Sequence, residues 1–464
     1  MVVVIKSDIS LRDLAVSITA ANADSYSTVF ALVGVLAMAV PLLRVRPRLL
    51  LGLFLAAVCF LPIWLGVNII SFFPAVALAS IGALFLVIPT TRIRLTWVDL
   101  AVLFLFVGCL VPLAVGGSSK PSSFVVLSQW LPVFLLGRLA PERVPLKWLY
   151  GAIGVAFSVV SALAVLEFLL HWNPFVNFHS ANDAYLVWSP IQERGGVPRA
   201  EGAFGHSIAL GASIALAIPL MLASRFRSWI RFALVGLMMA ATVFTFSRIS
   251  MICAALSITL SVLFMSGISG RARSTAVGLF TAVALSVSPF LSVIFSSAGT
   301  EASNSADYRG NLLSLVPDIS IIGRSPLGSV GPLGDLRFGR FTSIDSELIL
   351  FGLTYGWLAL ALGLLLLMVS TGAVLVRKAS APTIAMVAQI PALATVALIT
   401  QYSVWVWFVG GLAVAAQAAA IGSPVVDAGL DPISTKPTIR NTHDGHLSGV
   451  RFVRSAQSDR VPSI

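Results

Sequence analysis

The sequence predicts an all-α polytopic membrane protein with about 12–13 transmembrane helices and two long extracytoplasmic loops. Three observations carry this. Of 464 residues, 58% are apolar and 11% charged, against about 25% charged in soluble domains. The excess apolar surface needs an apolar solvent, and in lipid only helices or closed barrels satisfy the backbone. The apolar runs are of the length a helix needs, roughly 20 residues, to cross about 30 Å of hydrocarbon. The alternating segments of about 10 residues that mark a barrel are absent.

Taken in order, Met1–Ser25 carries Lys6, Asp8, Arg12, Asp13 and Asp24 and reads as an interfacial segment without a cleavable signal peptide. The transmembrane domain, 26–421, holds apolar runs near 26–43, 49–66, 70–89, 97–115, 123–139, 148–170, 203–223, 229–246, 249–268, 274–296, 350–376, 383–399 and 403–421. The tail, 422–464, is rich in Pro, Ser, Thr, Asp and Arg and reads as disordered. Cys59, Cys109 and Cys253 fall inside apolar runs and read as small buried hydrophobes.

Alternate connections differ sharply in basic content. One set holds fifteen Arg and Lys: Arg44, Arg46, Arg48, Arg92, Arg94, Arg138, Arg143, Lys147, Arg225, Arg227, Arg231, Arg271, Arg273, Arg377 and Lys378. The short loops of the other set hold Lys120 and Arg248. The basic set is therefore expected in the cytoplasm with the C-terminal tail. The net charge of +11 has this topogenic origin. No basic run interleaved with aromatics suggests nucleic acid. The long loops, about 171–202 and 297–345, are expected outside.

Polar groups cluster in three outer segments. Gly196-Val-Pro-Arg199-Ala-Glu-Gly202-Ala-Phe204-Gly205-His206-Ser207 enters a span. An interfacial anchor with a capped helix start would account for it. So would a phosphate or sugar site, because Arg offers a planar donor fork and helix N-termini attract anions. Phe244-Thr245-Phe246-Ser247-Arg248 is a tight outer turn whose Arg runs against the positive-inside bias or snorkels to the headgroups. The second long loop carries Asp307-Tyr308-Arg309-Gly310, Gly323-Arg324-Ser-Pro326-Leu-Gly328-Ser-Val-Gly331 and Asp345-Ser346-Glu347. Asp345 or Ser346 suits the N-cap of a helix beginning at Glu347; a lone Asp-x-Glu is weak as a metal site. Glu167, near the outer end of its span, is a costly intramembrane carboxylate that snorkels, stays neutral or has a function. Asp99 reads as a helix-start residue, and His171 and His179 as ordinary loop residues. No P-loop, zinc spacing, nucleophile elbow or dinucleotide fingerprint occurs.

In order and topology the three segments resemble the bacterial O-antigen ligase and O-antigen polymerase superfamily, over roughly 196–360. The matching stretches are Arg199 to His206, Ser247-Arg248, Arg309, Pro326-Leu-Gly328-Ser-Val-Gly331, and Asp345-Ser346 through Gly352 and Gly356. The resemblance implies a GT-C-like membrane glycosyltransferase of the cytoplasmic (inner) membrane, without cofactor or metal. Its donor would be a glycan on undecaprenyl diphosphate and its acceptor another glycan, with a chain-length regulator or other polysaccharide-assembly proteins as partners. The ligases usually carry His where this chain has Asp345-Ser346, which tilts the expectation toward a polymerase of O-antigen, capsule or exopolysaccharide.

Such a site needs cations for the diphosphate and a base for the acceptor hydroxyl. Arg199, Arg248, Arg309 and Arg324 are the candidate diphosphate ligands, and Asp345, then Glu347 or His206, the candidate bases. The competing expectation is a transporter or flippase of lipid-linked sugars, which needs charges at the bilayer midplane.

Overall fold

A computed structural model describes residues 46–88, 95–114, 120–180, 182–265, 310–330 and 336–422, with a few single positions between them. The segments 1–25 and 423–464, the run predicted near 26–43, all but the first few residues of that predicted near 274–296, and Arg309 lie outside the described residues.

The described chain is predominantly helical. Five helices are long and apolar enough to cross a membrane: α3 (Trp97–Ala114), α4 (Lys120–Arg143), α5 (Leu146–Leu170), α10 (Trp357–Leu375) and Thr400–Ala420 of α12 (Thr400–Gly422). Shorter apolar helices lie between them: α1 (Pro47–Phe60), α2 (Ala75–Val87), α6 (Ser207–Leu222), α7 (Ser228–Phe244), α8 (Arg248–Phe264) and α11 (Ala381–Thr395, bent at Gln389). A further short helix, α9 (Glu347–Tyr355), precedes α10. The all-α class and the multi-pass membrane character thus agree with expectation, with five helices of spanning length among the described residues.

Helix ends differ from the hydropathy boundaries for local reasons. Pro47 starts α1, its missing N–H falling where no intrahelical partner exists. Pro62 and Pro74 bracket a non-helical passage, within which Gly66–Asn68 (β1) pairs antiparallel with Phe72–Pro74 (β2). The predicted span at 350–376 is two helices broken at Gly356, whose φ of 93° suits glycine. A β-carbon there would also meet Gly323 N and Ile321 O at 2.9 Å. α6 starts at Ser207 rather than near 203, because a 3-10 turn (Gly202–Phe204) and left-handed Gly205 precede it. The two long loops are not featureless: one contains the hairpin Glu193–Arg194/Val197–Pro198 (β3, β4), the other Gly328–Val330/Leu336–Phe338 (β5, β6).

At 1.5 Å per residue, α1 and α2 reach only about 20 Å. Non-helical backbone therefore completes the passage, and its polar groups are paired with protein. Ile63 N donates to Ala203 O at 3.1 Å and Ala75 N to Leu65 O at 2.8 Å. Fully buried Gln401 donates its side-chain amide to Leu61 O at 2.6 Å and Ala203 O at 3.0 Å. The three breaks at 61–65, 200–206 and 396–401 thus meet in one junction.

α4 and α12 cross with backbones in contact. A β-carbon at Gly137 would lie 2.1 Å from Phe408 O, and one at Gly411 2.1 Å from Phe134 O. Small residues at a crossing permit such approach. Beside it, buried Arg138 pairs with Asp99 at 2.7 Å, while Thr96 and Asp99 exchange hydrogen bonds at the start of α3. Asp99 is the helix-start residue the sequence suggested, and it also neutralises Arg138. A stack of Trp130, Trp407 and Phe351 fixes α9 against α4 and α12.

Gly137→Ala and Gly411→Ala are each expected to destabilise the protein by about 1–3 kcal/mol, the usual cost of overpacking. Gly363→Ala, where a β-carbon meets nothing within 4 Å, serves as control. Thermal unfolding in detergent checks the difference.

Candidate functional site

The first and second motifs come together. Arg199 is buried, its Nε donating to Thr245 O at 2.8 Å and one terminal nitrogen to Gln192 Oε1 at 3.3 Å. Arg194 donates to Phe246 O at 2.9 Å, and Ala200 N to Phe244 O at 3.1 Å. Two guanidinium groups therefore hold successive carbonyls of the turn between α7 and α8. Phe246 is left-handed there, with φ 45°, a conformation that costs energy for a bulky side chain and persists only when its surroundings fix it. Ser247 caps α8 by accepting from Ser250 N at 3.2 Å. Arg248 follows as the first residue of α8 and is exposed. The helix N-terminus and an outward cation thus occupy one place, an arrangement suited to an anion.

Behind Arg199 stand two buried carboxyls. Glu167 accepts from Gly202 N at 2.9 Å, Glu201 N at 3.1 Å and Asn173 Nδ2 at 2.9 Å. Three donors fix it as an anchor for the entrance of α6. Glu201 is 1% exposed and accepts from Gln192 N at 3.1 Å. Burial pushes its carboxyl up to about 8; the Gln192 N–H and the Arg199 charge oppose the shift, and the neighbouring Glu167 adds to it. A cavity of about 130 Å³ opens here, lined by Glu167, Phe168, His171, Trp172, Glu193 and Arg199 among others. An aromatic face beside carboxyls and a guanidinium matches the amphipathic surface of a sugar ring.

His206 caps α6, its Nδ1 accepting from Ile208 N at 3.2 Å. With Nδ1 an acceptor, the neutral ring carries its proton on Nε2. Burial first, and the Arg199 charge second, lower its pKa to about 4. His206 therefore presents a donor at neutral pH.

The third motif reaches the same junction by another route. Ser346 caps α9, its Oγ accepting from Ile349 N at 3.4 Å. Asp345, half-buried, accepts from Ser343 Oγ at 3.0 Å. Glu347 is buried; its N–H donates to Val396 O at 3.1 Å and its carboxylate accepts from Leu398 N at 2.8 Å. The segment 396–401 thus bonds to Glu347 at one end and, through Gln401, to Ala203 of the first motif at the other. Glu347 also lies on the wall of an apolar cleft of about 180 Å³ among α3, α9, α10, α11 and α12, lined by Val102, Leu105, Phe351, Leu364 and Trp407 among others. The backbone N–H of Arg324 donates to Gly117 O at 2.8 Å, just beyond α3.

Among the described residues no group of three or more His, Cys, Asp and Glu is placed to hold a metal ion. Sequence reasoning missed Arg194, Gln192, Asn173 and Gln401 as members of the site, and it read the Arg199 segment as an interfacial anchor or an anion ligand without foreseeing that Arg199 clamps the α7–α8 turn. Glu201 was visible within its motif, and the tautomer of His206 was not, because only the backbone geometry around it reveals which ring nitrogen accepts.

Because folded Glu201 binds its proton more tightly than the unfolded chain, its contribution to stability is present below about 4.5 and is lost as pH rises through about 8. Glu201→Gln keeps shape and stays neutral. Its unfolding midpoint should therefore gain on the wild type progressively across that window, which pH-resolved thermal melts in detergent would reveal; a constant offset would refute the assignment.

No family model, no curated protein and no solved structure matches the chain.

Proposed function

We propose that the chain is a membrane glycosyltransferase that polymerises or transfers a glycan carried on a polyprenyl (undecaprenyl) diphosphate at the outer face of the cytoplasmic membrane. The observation that carries the reading is the joining of Arg199 to the Ser247-Arg248 turn, beside buried carboxyls and a cavity faced by Trp172. The motif order that resembles the O-antigen polymerases and ligases supports it.

The chemistry needs little beyond positioning and charge. The acceptor hydroxyl oxygen forms a bond to the anomeric carbon. The bond from that carbon to the diphosphate breaks, and polyprenyl diphosphate leaves with the electron pair. Attack from the opposite face inverts the anomeric centre. Arg248 at the start of α8, with Arg309 from the second loop, meets the developing negative charge. Arg199 holds the Arg248 turn and adds fixed positive charge behind it, and stabilisation by fixed groups in a dry site is usually the largest catalytic contribution. Asp345 takes the hydroxyl proton, being the more accessible of the two carboxylates that begin α9. His206, as a donor, suits an acceptor oxygen on the sugar. The apolar cleft beside Glu347 is a place for prenyl units. A chain-length regulator would act from outside this chain.

A specific observation favours a second reading, a transporter of lipid-linked sugars. α9–α10 and α11–α12 are interrupted helices, with buried Glu347 bonded to the second of the two breaks, and interrupted helices are a feature of transporter sites.

The purified protein, given lipid-linked oligosaccharide, should produce elongated glycan on a gel. Arg248→Ala and Arg309→Ala should abolish it with membrane insertion intact, and Asp345→Asn should lower turnover by on the order of 10²–10⁴, the worth of a general base, without losing donor binding. Transbilayer movement of the donor in liposomes with no elongation would select the transporter reading.

A further inference from the structure

A further cleft lies away from the candidate site. It occupies about 700 Å³ between α1 and α5, within the roughly 300–1,000 Å³ typical of ligand pockets. Gly52, Leu55, Ala56 and Phe60 form one wall, spaced as a single helix face. Trp148, Gly151, Ala152, Val155, Ala156 and Val159 form the other. Glycine and alanine make the width. Val155 and Val159 are 44% and 45% exposed, so the cleft opens sideways along its length.

Charge stands at one end only. Lys147 and Arg225 line that end, and Arg48 lies over the Trp148 ring at 5.9 Å. All three are exposed. No carboxylate lines the cleft, and among the described residues neither Lys147 nor Arg225 forms an ion pair. From Lys147 to Val159 the wall runs about 18 Å at 1.5 Å per residue. Half of a hydrocarbon core of about 30 Å is about 15 Å. The cleft is one leaflet long, apolar throughout, and cationic at the end that bears the basic turns.

We infer that this cleft is a binding site for an anionic phospholipid of the surrounding bilayer, its phosphate held by Lys147 and Arg225 and an acyl chain lying between α1 and α5. The occupant is a lipid of the leaflet rather than the proposed glycan donor, since the cations stand at the opposite end of α5 from Glu167 and the candidate site. A zwitterionic lipid would fill the apolar part equally but gain less from two unopposed cations. The bound lipid would complete packing between α1 and α5 that the small residues leave open.

The full chain, purified in mild detergent and incubated with an equimolar mixture of phosphatidylglycerol and phosphatidylcholine, is examined by native mass spectrometry. Wild type should retain phosphatidylglycerol several-fold over phosphatidylcholine. Lys147→Glu with Arg225→Glu should abolish the preference. Gly52→Leu, whose new side chain meets nothing within 4 Å at its β-carbon and so enters open space, should reduce retention of both lipids. Equal retention of the two lipids by wild type would overturn the inference. So would retention of neither, as expected if the apolar run 26–43 of this chain fills the cleft. Unchanged preference in the charge-reversed variant, with its thermal unfolding matching wild type, would overturn it as well.

Discussion

Backbone that leaves the helical state inside an apolar bundle must find its hydrogen-bond partners in protein, and that constraint organises this molecule. Three such departures, at 61–65, 200–206 and 396–401, occur at one place and satisfy one another. Gln401 spans two of them with a single amide. Glu167 receives two successive N–H groups of the second, and Glu347 receives one of the third. Side chains that would be costly inside lipid are affordable here because each replaces a missing helical partner. The same requirement explains how helices as short as α1 and α2 serve in a bundle beside helices long enough to cross a membrane.

The candidate site grows out of that junction. The chain emerging from the 200–206 break runs beside the α7–α8 turn, and Arg199 and Arg194 pull the turn's carbonyls inward. This leaves Phe246 left-handed and aims the start of α8, with Arg248, outward. The start of α8, a positive helix end, is thereby fixed beside exposed Arg248, an arrangement that the proposed stabilisation of a departing diphosphate would use. Glu201, two residues beyond Arg199, is held protonated by burial where an ionised carboxylate would compete with an anion for that charge, and His206 adds a neutral hydrogen-bond donor.

Much of the architecture was legible in hydropathy, and the reasons for the errors are physical. Leu61-Pro-Ile-Trp-Leu65 and Val396-Ala-Leu-Ile399 are apolar, so a hydropathy reading runs through them although the backbone there is not helical. Only Pro62 hinted at a break. The cap Ser346, read with Asp345 as its alternative, was legible because capping is local; Ser247 was read only as part of a tight turn. The pairing of Arg138 with Asp99 was not, since 39 residues separate them. Arg199 stood out by type, but its partners are backbone carbonyls, which carry no sequence signal. Gln192 and Gln401 are single amides in unremarkable settings; nothing short of the fold identifies them.

The central claim is that cations from separate stretches of the chain converge on a diphosphate at the rim opposite the basic turns. An experimental structure of the full chain with undecaprenyl diphosphate bound tests it most directly. The account predicts both phosphates at the N-terminus of α8, in contact with Arg248 and Arg309, with Arg199 still holding Thr245 beneath them. Phosphates bound elsewhere, or Arg309 on a different face from Arg248, would contradict it.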